Sequence, residues 1–257
     1  MGGALAGRTI AVTRPTAQAD ALCHAIEEAG GEAFRFPLLE IVPVTDPAVF
    51  APVVARFDTF DFAFFVSPNA VEHGLAGLLQ TRSWPPGLRV AVVGQGSARA
   101  LDAHGFTGVI APAEGFDSEA VLALSAFAPE AVRGRAVLIV RGDSGRELLG
   151  ETLTARGARV EYLSCYHRHC PAADPALLLE RVVRGRLDAL SVTSSEAVDH
   201  LARIIGDKGV VRLSRVPVFV SHPRIAARCH QHGLEQTIIA SGTGNDALLR
   251  ALIAFFG

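Results

Sequence analysis

Strands that alternate with helices along the whole chain, a return of that alternation at an offset of 127 residues, and apolar strand runs that stop in small polar residues predict an α/β protein of two flavodoxin-like parallel-sheet domains. The offset is plainest between Asp61-Phe62-Ala63-Phe64-Phe65-Val66-Ser67-Pro68-Asn69-Ala70-Val71-Glu72-His73 and Asp188-Ala189-Leu190-Ser191-Val192-Thr193-Ser194-Ser195-Glu196-Ala197-Val198-Asp199-His200. The Asp, the Ser, the Ala-Val pair, an acid and the His all recur. Gly7-Arg8 and Arg14 return as Gly134-Arg135 and Arg141, Gly30 returns as Gly157, and with one residue of slip His104-Gly105 returns as His232-Gly233. Solenoid units have periods up to about 50 residues, so a repeat this long is a duplicated domain.

Each element has its own reason. In the first half, the β-branched run 9–13 is a strand ending in Arg14-Pro15, and a helix over 17–29 places Leu22, Ala25, Ile26 and Ala29 on one face before Gly30-Gly31 stops it. Residues 32–36 form a second strand, and 37–43, bracketed by Pro37 and Pro43, is an extended linker. A helix over 48–57 leads to the strand 62–66, whose polar turn at Ser67 opens a helix over 69–79. The strand 90–93 ends in Gly94-Gln95-Gly96-Ser97, a helix over 98–103 closes at Gly105, 109–110 is a short strand, and Ser118 caps a helix to about 126.

The second half repeats the order. The strand 136–140, the loop 141–146, a helix over 147–155 and the extended run 160–170 precede a helix over 176–183. The strand 189–192, a helix from Ser195 to 205, the strand 216–220, a helix to 230, the strand 237–239 and a helix over 246–256 complete five strands per half.

Composition narrows the functional classes. The 257 residues are 49% hydrophobic with a formal net charge of -2, and the charges are interspersed, which leaves no basic stripe for nucleic acid and no polybasic membrane segment. The start, from Met1 to Arg8, is too short and glycine-rich for a signal peptide, and no run approaches a membrane span, so a cytoplasmic protein acting on small molecules or proteins is expected. Cys23, Cys165, Cys170 and Cys229 are read as thiols. The run from Cys165 to Cys170 has metal-capable types but no second ligand pair, so no metal and no cofactor is expected. Strand alternation would put Cys165, His167 and His169 on one face and Tyr166, Arg168 and Cys170 on the other.

In open parallel sheets ligands lie at the carboxyl ends of the strands. Here those ends carry Arg14, Ser67-Pro68-Asn69, Gly94-Gln95-Gly96-Ser97, Arg141 to Arg146, Thr193-Ser194-Ser195 and Ser221-His222. Hydroxyls, glycines and arginines without clustered acids make a donor surface suited to carboxylates or phosphates. A serine at a helix start is by itself most simply a cap worth about 1 kcal/mol, and a glycine after a strand a turn. Recurrence at matching strand ends is what gives the set its weight. Gly94-Gln95-Gly96 lacks the third glycine of a dinucleotide fingerprint, and no Gly-Lys-Ser or Gly-Lys-Thr phosphate loop is present.

Taken in order, Val12-Thr13-Arg14-Pro15, Phe65-Val66-Ser67-Pro68-Asn69-Ala70-Val71, Val93-Gly94-Gln95-Gly96-Ser97-Ala98, Arg141-Gly142 with Gly145-Arg146-Glu147-Leu148, Gly157-Ala158 with Val160, and Tyr166 with Arg168 resemble the uroporphyrinogen-III synthase family of tetrapyrrole biosynthesis. The resemblance covers nearly the full chain. It implies two domains joined by a two-stranded linker and duplicated with exchanged segments: 1–37 with 171–257, and 44–163, with 38–43 and 164–170 as linkers.

The resemblance further implies a cyclising hydro-lyase of porphyrin and heme biosynthesis that takes hydroxymethylbilane, a linear tetrapyrrole with eight carboxylates, to uroporphyrinogen III. Loss of the hydroxyl gives an azafulvene, and attack through a spiro intermediate inverts ring D. Such an enzyme mainly folds its substrate and disfavours closure to isomer I. Tyr166 is then the candidate acid for departure of hydroxide. Arg14, Ser67, Asn69, Gly94, Ser97, Arg146, Thr193, Ser194, Ser195 and Ser221 are candidate binding positions, with Arg14 and Arg146 as carboxylate partners. Ser221-His222-Pro223-Arg224 departs from the family's glycine-threonine turn. A monomer with closure about the linkers and a transient contact with hydroxymethylbilane synthase is implied. Two other readings stand beside it: a two-lobed small-molecule-binding protein without catalysis, and a receiver-like signalling pair, whose magnesium-binding acids are replaced here by Thr13-Arg14.

Overall fold

The structure, a computed structural model, describes residues 3–115, 117–242 and 244–257, so the reading of Met1 and Gly2 at the chain start lies outside it. In chain order the first elements are β1 (Thr9–Val12), α1 (Thr16–Glu28), β2 (Glu32–Arg35), β3 (Glu40–Pro43), α2 (Pro47–Ala55), β4 (Phe62–Phe65), α3 (Pro68–Leu78), β5 (Arg89–Val92) and α4 (Gln95–Ala103). Then come α5 (Ser118–Leu122), α6 (Pro129–Val132), β6 (Ala136–Gly142), α7 (Leu148–Ala155), β7 (Arg159–His169) and α8 (Pro175–Val183). The last are β8 (Ala189–Val192), α9 (Ser195–Leu213), β9 (Val218–Val220), α10 (Pro223–Gln231), β10 (Thr237–Ile239) and α11 (Asn245–Phe256).

The chain forms two compact units, residues up to Glu40 with His169–Gly257, and Ile41–Arg168. The first holds a five-stranded sheet in the order β10-β9-β8-β1-β2, with every pair parallel. Counted along the chain within the unit, that is the flavodoxin order 2-1-3-4-5. The second holds the sheet β3-β7-β6-β4-β5, with β7, β6, β4 and β5 mutually parallel. By the 127-residue offset β6, β7 and β4 match β1, β2 and β8, β5 matches β9, and Ile110, bridged in parallel to Ala91, stands where β10 stands. The two sheets are the same sheet entered at different strands.

Both faces of each sheet are covered, which explains the uninterrupted apolar strands. Along β4, Ala63 and Phe65 pack with Val71, Leu75 and Leu138, while Phe62 and Phe64 pack on the other side with Phe127 and Val121. Along β1, Ile10 and Val12 join one core cluster and Ala11 another.

The two recurring aspartates explain the repeat at the amino ends of the strands. Asp61 accepts from Arg135 Nη1 and from the backbone N–H of Ala136, each at 2.8 Å; Asp188 accepts from Arg8 Nη1 and the backbone N–H of Thr9, each at 2.9 Å. In each half the aspartate's own N–H donates back to the neighbouring strand, to the carbonyl of Ala136 or of Thr9. Gly7 and Gly134, both at φ 74°, supply the left-handed turn before the arginine.

Several elements depart from expectation. Residues 40–43, read as linker, pair as a strand, since chain extended between two prolines still offers the N–H of Ile41 and Val42. The helix after Ser194 does not stop at residue 205 but resumes past Gly206, which is non-helical at φ 63°, and runs to Leu213. Asp117, not Ser118, caps α5, its side chain accepting from the Ala120 N–H, and the helix ends at Leu122 before a short 3-10 turn at Ser125–Phe127. Residue 110 gives a bridge rather than a strand.

Candidate functional site

Because the strands are parallel, the predicted positions gather at one sheet edge in each unit. Ser67, Asn69, Gly94, Ser97, Arg146 and Tyr166 lie at the carboxyl edge of the second sheet, and Arg14, Thr193, Ser194, Ser195 and Ser221 at that of the first.

In the second unit Ser67 is the N-cap of α3, its Oγ accepting from the Ala70 N–H at 3.1 Å. The same Oγ lies 3.1 Å from the Tyr166 hydroxyl. Tyr166 is 1% exposed, with the His73 ring centroid 5.9 Å from its own. Burial lowers the His73 pKa from its ordinary value, which favours the neutral ring. Arg168 reaches over the tyrosine: its guanidinium carbon is 5.8 Å from the ring centroid and Nη2 donates to the phenol oxygen at 3.4 Å.

A local irregularity seats Tyr166. The pairing of β6 with β7 shifts between Arg141 and Gly142, so that Arg141 faces Ser164 while Gly142 faces Tyr166. Cys165 is the extra residue of the bulge, and consecutive Cys165 and Tyr166 are both buried against α3, the thiol toward the Ala70 carbonyl and the phenol toward Ser67. Strict alternation therefore fails at this step: Cys165 does not share its environment with exposed His167 and His169. Burial pushes the Cys165 thiol up to about 12, which makes it an inert packing group. Gly142 makes room for the ring, since a Cβ there would come within 2.6 Å of the tyrosine.

The neighbouring loop is tied to the same strand. The Asp143 N–H donates to the Tyr166 carbonyl, while its carboxylate takes the Arg168 N–H at 3.2 Å and lies 3.0 Å from His167 Nδ1. Burial opposes ionisation of Asp143, but the His167 and Arg168 hydrogen bonds outweigh it and hold the carboxyl below its usual range. Arg146 pairs with Glu119 through both guanidinium Nη atoms, which raises its pKa. Gly94 caps α4, whose first turn carries buried Ser97, and Gly96 leaves only 3.3 Å between an added Cβ and Pro68.

In the first unit Ser194 caps α9 through the Ala197 N–H at 3.1 Å, the twin of Ser67. Arg14 donates through Nη1 to Asn245 Oδ1, and burial lowers its pKa. Among the described residues, Arg14 Nε and Ser195 Oγ are buried polar atoms without a hydrogen-bond partner. At the departing turn His222 takes over the capping role, its Nδ1 accepting from the Arg224 N–H at 3.1 Å, while half-buried Ser221 precedes it.

Sequence reasoning gave His73, Asn245 and Glu119 no part in a site, placed Asp143 only within the loop from Arg141 to Arg146, and read His167 only in a metal-capable run. The return of His73 as His200 was the available signal for the first. The others depend on loop pairings that no local pattern encodes. Among the described residues no three His, Cys, Asp or Glu side chains converge as metal ligands, and no helix is long and apolar enough to cross a membrane.

Comparison with known proteins gives the chain a family. A family model described as uroporphyrinogen-III synthase HemD matches residues 20–250. The uroporphyrinogen-III synthase of Salmonella typhimurium is 34% identical over 246 residues, 95% of this chain and 99% of that one, and that of Escherichia coli is 32% identical over the same shares. The fold matches a crystal structure of a mutant uroporphyrinogen III synthase from Thermus thermophilus with TM-score 0.64 at 18% identity, covering 96% of this chain and 97% of that one. It also matches the Helicobacter pylori uroporphyrinogen-III synthetase with TM-score 0.56 at 15% identity, covering 96% and 99%. By sequence over nearly its whole length, and with a fold to suit, this chain belongs to the uroporphyrinogen-III synthase family.

Proposed function

We propose that the chain cyclises hydroxymethylbilane to uroporphyrinogen III, with inversion of ring D, and that Tyr166 is the acid for the first step. The observation that carries the residue assignment is the phenol held at a strand-end bulge, 3.1 Å from the Ser67 cap and buried with its hydroxyl at the carboxyl edge of the sheet. In the first step the phenolic proton passes to the substrate hydroxyl as its C–O bond breaks. The bond's electron pair leaves with the oxygen as water, and a pyrrole nitrogen lone pair completes the azafulvene as its N-protonated cation, balanced by the Tyr166 phenolate. Ring D attacks, the spiro intermediate opens and recloses, and the proton lost on rearomatisation restores the phenol, so one water is released per turnover. This makes the protein a hydro-lyase that needs no cofactor, and we read it as a cytoplasmic monomer that meets hydroxymethylbilane synthase transiently.

The remaining positions serve binding. Arg14, with an unpartnered Nε, and Ser195, with an unpartnered hydroxyl, are suited to a substrate carboxylate, since an unmet buried polar group costs about 1–3 kcal/mol until a ligand meets it. Arg146 is already neutralised by Glu119 through both Nη atoms, which makes it the weaker of the two arginine partners. Ser67, Asn69, Gly94, Ser97, Thr193, Ser194 and Ser221 supply hydroxyl, amide and backbone donors at the strand ends. The test supplies hydroxymethylbilane freshly made by its synthase and resolves the product isomers. Isomer III is expected; isomer I at the uncatalysed rate would refute the activity. Tyr166→Phe should lower kcat by about 10²–10⁴-fold with the fold intact, and unchanged turnover would remove Tyr166 from the acid's role.

A further inference from the structure

Hydrogen-bond accounting around the Tyr166 phenol assigns a role to Arg168 that rests on the reading of Tyr166 as the acid. The phenol oxygen has one proton to give and two lone pairs to fill. Arg168 Nη2, 3.4 Å away, can only donate, so it occupies one lone pair. Ser67 Oγ, 3.1 Å away, already accepts from the Ala70 N–H, and its own proton can fill the other. With Ser67 as the donor of that pair, both lone pairs are met from inside the protein and the phenolic proton is left for an acceptor at the sheet edge.

The same two donors face the charge that appears when that proton leaves. Ser67 caps the amino end of α3, where the helix dipole favours a negative oxygen, and the Arg168 guanidinium adds a full positive charge beside it. His73, whose ring centroid lies 5.9 Å from that of Tyr166 and whose neutral form burial favours, adds no competing charge. The long 3.4 Å contact fits a resting site, where catalytic hydrogen bonds are commonly loose and tighten with substrate. Arg168 is in turn held by its own backbone: its N–H donates to Asp143, whose N–H binds the Tyr166 carbonyl, so both ends of the Tyr166-His167-Arg168 tripeptide are pinned to one loop residue.

We propose that Arg168 is a positioning residue for the cyclisation. By donating to the Tyr166 oxygen together with Ser67, it aims the phenolic proton outward and stabilises the phenolate left behind.

The test is a double-mutant cycle scored by formation of isomer III, with thermal melting of each variant as a check on folding. Arg168→Gln should lower kcat about 10-fold or more while KM changes less than about 3-fold, and Arg168→Lys, which keeps the charge, should recover much of the loss. In the Tyr166→Phe background the same Arg168→Gln change should cost less than about 2-fold, because the group through which it acts is gone. An equal loss in both backgrounds, or a loss confined to KM, would overturn the proposal and place Arg168 on the substrate instead. If Tyr166→Phe itself turned over at the wild-type rate, the acid assignment would fall and the role of Arg168 with it, an outcome distinct from an additive cycle.

Discussion

Asp61 and Asp188 do the same work in the two halves, each gripping an arginine side chain and a strand N–H, whereas Tyr166 and its counterpart at the 127-residue offset, Leu39, share nothing but position. The same contrast holds for paired residues nearby. Ser67 and Ser194 both cap a helix at 3.1 Å, but only Ser67 has a phenol on it. His73 lies against the Tyr166 ring, while His200 is spent on the Leu38 carbonyl through Nδ1 at 2.6 Å. Arg141 pairs with Glu147, and its twin Arg14 with Asn245. Symmetry is kept at the amino ends of the strands, where it builds each sheet, and relaxed at the carboxyl ends, where the residues around the matching caps differ. A duplicated frame can diverge at its tips because tip residues meet loops and helix caps, not the strand ladder.

Substitutions can break or sharpen that contrast. The largest effect is expected at Gly142, whose added Cβ would stand 2.6 Å from the Tyr166 ring. Gly142→Ala should destabilise the second unit by about 1–3 kcal/mol and abolish most turnover, measured by urea titration and isomer III formation. Next come the matched aspartates. Asp61→Ala and Asp188→Ala each strand a guanidinium and a strand N–H, and each should cost about 1–3 kcal/mol in its own unit, read by hydrogen exchange of the flanking strand. A large difference between them would show that the two frames are not equivalent after all.

Smaller effects test the caps. Ser67→Ala and Ser194→Ala should each lose about 1 kcal/mol of stability, yet Ser67→Ala should carry the greater fall in kcat because it also unties the phenol. Equal falls would sever the link between the cap and Tyr166. The smallest effect concerns pH. His73 has a folded-state pKa below that of the unfolded chain, so its neutral form is favoured in the folded state and nothing is lost above about pH 6.5. As pH drops below that value the unfolded chain takes up a proton first, and stability declines until the folded ring titrates too. His73→Leu should therefore flatten the fall in melting temperature between neutral and mildly acid buffer, and a slope identical to that of the wild type would remove His73 from the account.

The duplicated frame was readable because it rests on local signals. Alternation, glycine stops and serine caps each act over a few residues, and the offset of Asp61 to Asp188 and Ser67 to Ser194 carried them across the chain. The strand-end rule then gave the binding positions, which lie at the carboxyl edges of their sheets, while Tyr166 was offered by the family resemblance alone. What stayed hidden is non-local. The bulge that buries Cys165 and Tyr166 together depends on how β7 pairs with β6, and nothing in the run from Cys165 to Cys170 announces a register shift. Arg146 looks like an available cation until Glu119, from another helix, arrives on it. Gly206 reads as a stop, and a stop it is for the hydrogen-bond ladder, but the chain beyond it takes up helix again because Gly209 and Leu213 pack into the core.

That one sheet is drawn from a single continuous segment, Ile41–Arg168, and the other from both ends of the chain has a bearing on how the protein is made. The chain of the second unit is synthesised whole before α8 to α11, so it can fold early, whereas β1 has no β8 to pair with until later. During that interval the apolar face of α1, with Leu22, Cys23 and Ile26, has no completed core to enter. The nascent N-terminal segment is thus where chaperone capture would concentrate during translation.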